Sequence, residues 1–61
     1  MKLNELEKIL SQYGYNLDRV NKHRIWTKPL NNPIALPNHR LVNKMIAIKI
    51  IKQLNLGDNH V

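Results

Sequence analysis

Along the first part of the chain the apolar residues Leu6, Ile9, Leu10 and Tyr13 recur every three or four positions. That spacing lines up one side of an amphipathic helix for burial. Asn4 with Glu7 three residues on has the form of a capping box, which predicts where the helix starts. Gly14 supplies the left-handed residue at which many helices stop. From Tyr15 to Val20 the period shortens to two, predicting a strand with Tyr15, Leu17 and Arg19 on one face. Asn21-Lys22 is predicted to form a two-residue hairpin turn, although Lys is poorly suited to positive φ. His23 to Lys28 alternates again, with His23, Ile25 and Thr27 on one face and Arg24, Trp26 and Lys28 on the other. Trp26 is expected to pack under a helix. Pro29-Leu30-Asn31-Asn32-Pro33 is a turn by composition, and Ile34-Ala35-Leu36 is a third short strand closed by Pro37.

Pro37-Asn38-His39-Arg40 then reads as a loop, with Asn43 as the cap of a second helix running to about Leu54 and stopping at Gly57. At about 100° per residue, Ile46, Ala47, Ile50, Ile51 and Leu54 fall on one arc of roughly 140°. Lys44, Lys49 and Lys52 occupy another arc, and Met45 and Ile48 fall inside it, as exposed apolar residues or as a small partner-binding patch. Residues 58–61 are expected to be a frayed tail. The predicted order is helix, three strands, helix. This is a single α+β domain over residues 1–61, in which two helices cover one face of a three-stranded antiparallel sheet and the other face stays open to a ligand.

Size and charge narrow what such a domain does. A chain of 61 residues buries only about 60% of its unfolded surface, which leaves no room for a cofactor domain or a deep cavity. A substrate is therefore expected to be large and to bind across the surface, and no cofactor is expected. The formal charge of +6 attracts nucleic acid, an anionic membrane or an acidic protein. No apolar run approaches the roughly 20 residues of a membrane span. The amphipathic start, Met1-Lys2-Leu3-Asn4-Glu5-Leu6-Glu7, does not read as a secretory signal. Cysteine is absent, so there is no disulfide and no thiolate metal site, and a cytoplasmic location is expected. His23, His39 and His60 lack the short spacing of metal ligands, so no metal is expected either.

The chemistry concentrates in Val20-Asn21-Lys22-His23-Arg24-Ile25-Trp26, where one histidine stands between two cations. An imidazole exchanges a proton near neutral pH, and adjacent cations hold a phosphate, Arg through two N–H groups at once. RNA carries its own nucleophile beside each phosphate, so a single histidine is sufficient to assist cleavage. Taken alone, His23 is more often a half-exposed strand residue with no chemistry. His39 and Arg40 precede the second helix, where backbone N–H groups favour anions, so His39 reads as a helix-entry or phosphate-contacting residue, with a second acid/base partner as the alternative. Lys22, Arg24, Lys28, His39 and Arg40 are the expected RNA contacts; Arg19, Lys28, Lys44, Lys49 and Lys52 form a solvated basic surface, some of it expected to track phosphates.

The chain resembles the HicA (YcfA-like) toxins of bacterial toxin–antitoxin systems. The resemblance is carried by Leu6-Glu7-Lys8-Ile9-Leu10, Tyr13-Gly14-Tyr15, His23-Arg24-Ile25-Trp26, Ala35-Leu36-Pro37-Asn38-His39 and Lys52-Gln53-Leu54-Asn55-Leu56, in that order over some fifty residues. It implies a fold like that of double-stranded-RNA-binding domains and a metal-independent endoribonuclease that cleaves mRNA, with His23 as the catalytic residue. It also implies a HicB-like antitoxin, expected to cover His23 and the sheet face around it and to touch Met45 or Ile48. Asn21-Lys22 stands where the family has Gly-Ser before this histidine. A non-catalytic RNA-binding module on the same fold is the alternative.

Overall fold

A computed structural model describes the backbone of residues 1–58 and the side chains of residues 1–54. The tail at 59–61 and His60 lie outside the described residues. The elements are α1 (Leu3–Gln12), β1 (Asn16–Val20), β2 (His23–Thr27), β3 (Ile34–Pro37) and α2 (Lys44–Asp58). The three strands form one antiparallel sheet in the order β1-β2-β3, with β2 in the centre. The fold is the expected α-β-β-β-α arrangement of two helices and an open sheet. Leu6 and Leu10 of α1, Ile34 and Leu36 of β3, and Ala47, Ile50 and Leu54 of α2 share one core with Tyr15 and Val42.

Each helix end has a local cause. The start of α1 is capped by Lys2, and no side chain bonds to its free amides. The expected Asn4–Glu7 capping box does not form because the start of the chain is held by tertiary backbone pairing instead. Leu3 N–H donates to the Arg40 carbonyl at 2.9 Å, Val42 N–H donates to the Met1 carbonyl at 2.7 Å, and Lys2 and Leu41 form an antiparallel bridge. At the other end Gly14 adopts φ 91°, as its position predicts. Tyr15 N–H reaches back to the Leu10 carbonyl at 3.0 Å and Gly14 N–H to the Ser11 carbonyl at 3.1 Å. These are the paired bonds of a Schellman stop, and they turn Tyr15 into the core. Asn43 caps α2 as predicted, its Oδ1 accepting Met45 N–H at 2.8 Å. The helix does not end near Leu54 but continues through Gly57 to Asp58.

The sheet departs from the sequence pattern at one residue. Leu17 pairs with Trp26 but Arg19 pairs with Ile25, so Asp18 is the extra residue of a β-bulge. Cross-strand partners share a face. Leu17 and Val20 therefore lie on the helix-covered face with Trp26 and Arg24, while Arg19 lies on the open face with Ile25. The expected grouping of Leu17 with Arg19 is corrected by that slip. The turn between β1 and β2 also differs. Val20 pairs with Arg24, leaving Asn21, Lys22 and His23 between them. Asn21 N–H donates to the His23 carbonyl at 2.8 Å, and no residue of this loop has positive φ. A three-residue connection without left-handed residues suits Lys22 better than the predicted two-residue turn. The next turn, Lys28-Pro29-Leu30-Asn31, closes with Asn31 N–H on the Lys28 carbonyl at 3.1 Å. Leu30 there sits at φ 68°, in the position where a type II turn favours glycine.

The helix layer is centred on β3, whose Ile34 and Leu36 are buried, while every residue of β1 is exposed. On α2, Ala47, Ile50 and Leu54 face the core as predicted, but Ile46 is 39% exposed. Val42, just ahead of the helix, is buried in its stead.

Candidate functional site

His23 is the first residue of β2 and lies opposite Pro37, the last residue of β3. Alternation along β2 puts it on the open face with Ile25 and Thr27, away from the helices. Its side chain is exposed, and among the described residues none hydrogen-bonds the imidazole. The Asn21–His23 backbone bond fixes the loop that presents it. Lys22, immediately before it, is exposed as well.

The same pairing brings the loop after β3 to this end of the sheet. His39 follows Pro37 by two residues and Arg40 by three, and both are exposed. The bonds between Met1–Leu3 and Arg40–Val42 hold the start of α1 beside that loop, and α2 begins four residues after Arg40. One end of the molecule thus gathers His23, Lys22, His39 and Arg40 with Lys2, Lys44 and the N-termini of both helices. Helix N-termini carry partial positive charge, which adds to that of the side chains, so the concentration of charge is suited to anions. Glu5, in the first turn of α1, is the acidic side chain nearby. No cluster of three potential metal ligands occurs among the described residues.

Two of the expected RNA contacts are not at this end or on this face. Arg24 lies on the helix-covered side, where its Nε donates to Glu7 Oε2 of α1. The same carboxylate oxygen accepts Trp26 Nε1–H at 3.0 Å. With side-chain exposures of 26% for Arg24 and 15% for Glu7, the Nε contact joins helix to sheet and holds the guanidinium on that side. Lys28 lies beyond the other end of β2, its Nζ 5.6 Å from the centre of the Tyr15 ring, within cation–π range. Its stem runs past Gly14, where an added Cβ would lie 3.5 Å from Lys28 Cε. Both residues are removed from the group around His23.

Glu7 is the side chain to which the sequence pattern assigned the wrong partner. The available signal was its position: Glu7 stands four residues after Leu3 and three before Leu10, on the stripe that becomes buried. A carboxylate on a buried stripe requires a partner, and Arg24 and Trp26 share the one strand face that can supply it.

A separate apolar surface lies on α2, where Met45, Ile46, Ile48, Lys49 and Lys52 line a shallow groove of about 310 Å³. Met45 is 77% and Ile48 50% exposed. By helical phase this groove is opposite Ala47, Ile50 and Leu54, on the outward side of the helix layer. It therefore faces away from the open sheet face that carries His23. Among the described residues no helix is long and apolar enough to cross a membrane. Comparison with protein-family models, with curated proteins and with solved structures finds no match to this chain.

Proposed function

We propose that this protein is an endoribonuclease of the HicA toxin kind, cleaving mRNA in the cytoplasm without metal or cofactor and held in check by a HicB-like antitoxin. The observation that supports this reading best is the exposed imidazole of His23, free of side-chain partners among the described residues and set at the cationic end of an open sheet face. RNA lies across that face with a phosphate near His23. The imidazole exchanges the proton of the attacking or departing oxygen, a contribution of about 10²–10⁴ in rate. The attacking oxygen is either the RNA 2′-hydroxyl or water. Lys22, His39 and Arg40 supply positive charge to the phosphates, and the antitoxin covers the His23 face. To touch Met45 or Ile48 as well, as the sequence reading expects, the antitoxin would have to reach round to α2, because their groove faces away from His23.

Lys22, in the place of the family's serine beside the histidine, favours a second reading in which the same surface binds RNA without cutting it. Incubation with a long single-stranded RNA in the presence of EDTA separates the two. Fragments formed by the native protein and not by His23→Ala support the nuclease. Retarded but intact RNA supports the binding module and rejects the nuclease. RNA that is neither cut nor retarded at low salt rejects both.

A further inference from the structure

The sequence offers Arg24 as the guanidinium beside His23, and the structure commits Arg24 to Glu7 on the far side of the sheet. We infer that Arg19 is the phosphate-binding arginine of this surface, carried there by the Asp18 bulge. This rests on the reading of the His23 face as an RNA surface and names the residue that would grip the backbone on it.

The register carries the inference. Arg19 pairs with Ile25, and His23 lies two residues before Ile25 on the same strand face. Arg19 and His23 are therefore diagonal neighbours on the open side, at a separation of about 7–8 Å for such pairs. Without the bulge, continued alternation from Leu17 opposite Trp26 would leave Arg19 opposite Arg24, two cations on the helix-covered face. The slip at Asp18 avoids that like-charge pair and turns Arg19 out. Its side chain is 69% exposed, and among the described residues its one neighbour of opposite charge is Asp18, at 3.8 Å and itself 53% exposed. Exposed pairs of that length contribute little, so a phosphate can displace it. A phosphodiester bound there would present its two non-bridging oxygens to the Arg19 fork and lie alongside the imidazole of His23.

The test measures binding of a fluorescein-labelled 12-nucleotide single-stranded RNA by anisotropy over a series of salt concentrations. The wild type is compared with Arg19→Ala, Arg19→Lys and Lys52→Ala. Lys52→Ala removes the same charge from the outward side of α2 and so controls for net charge. Arg19→Ala should weaken binding about tenfold and lower the salt slope by about 0.7–1. Arg19→Lys should recover the slope but only part of the affinity, because a lysine lacks the planar fork. Equal losses in Arg19→Ala and Lys52→Ala would overturn the assignment, whether or not the protein cuts RNA. Circular dichroism of each variant shows that the fold is intact, as expected for two exposed positions. Tight RNA binding without cleavage would reject the nuclease reading and leave the Arg19 result decisive by itself, whereas no binding by the wild type overturns both.

Discussion

Replacing Glu7 by alanine tests the contact that joins α1 to the sheet and withdraws Arg24 from the candidate surface. Glu7 Oε2 accepts from both Arg24 Nε and Trp26 Nε1, so Glu7→Ala leaves a cation and an indole N–H unpaired together. Bonds to a charged group contribute about 1.5–3 kcal/mol. Breaking a fully buried pair costs about 3–5 kcal/mol, and the residual exposure of both side chains lowers this to about 2–3 kcal/mol. For 61 residues, total stability at about 0.05–0.15 kcal/mol per residue is only about 3–9 kcal/mol. Thermal unfolding followed by circular dichroism should therefore show Tm falling by about 10–20 °C, at 4–8 °C per kcal/mol for a domain this small. Glu7→Gln keeps an oxygen for Trp26 and loses only the charge, so its loss should be about half as large. A double-mutant cycle with Arg24→Ala isolates the pair, with an expected coupling of about 1–2 kcal/mol. Glu7→Ala within 0.5 kcal/mol of wild type, or a coupling near zero, refutes the structural role of the bridge.

Three other outcomes follow from single residues. Lys22→Ala should lower the salt slope of RNA binding by about 0.7–1, and an unchanged slope would remove Lys22 from the interface. Leu30→Asn should raise Tm by roughly 4–8 °C, because asparagine recovers about 1 kcal/mol of the ~1–2 kcal/mol that a left-handed leucine costs and a side chain this fully exposed gives up no packing. A lower Tm in that variant contradicts the strain at φ 68°. Gly14→Ala should destabilise by about 1–2 kcal/mol through φ alone, since an added Cβ would make only ordinary contact with Lys28; urea unfolding measures it, and a neutral result would show that the Schellman stop tolerates a side chain.

Much of the fold is legible in the sequence because its signals are local. The spacing of Leu6 and Leu10 places α1, Gly14 ends it, Asn43 starts α2, and alternation around Ile25 and Ile34 marks strands. What escapes the sequence depends on pairing between distant segments. The bulge at Asp18 is set by which residues of β2 lie opposite, so Arg19 changes face with no change in local pattern. The start of α1 is held by Arg40 and Val42 rather than by Asn4, and this frees Glu7 for the sheet. At the candidate site, His23, Lys22, His39 and Arg40 converge because β2 begins opposite the end of β3, which strand order alone suggests. Arg24 lies on the other face from its sequence neighbour His23, because adjacent residues of a strand point to opposite faces.

The central claim is that His23 moves a proton during RNA cleavage, and single-turnover kinetics with excess protein over a labelled RNA test it most directly. The wild type should cut in EDTA, and His23→Ala should be slower by about 10²–10⁴. Added imidazole should restore part of the loss at unchanged RNA affinity. Equal rates in the two proteins, or loss of RNA binding together with cleavage, would contradict the account.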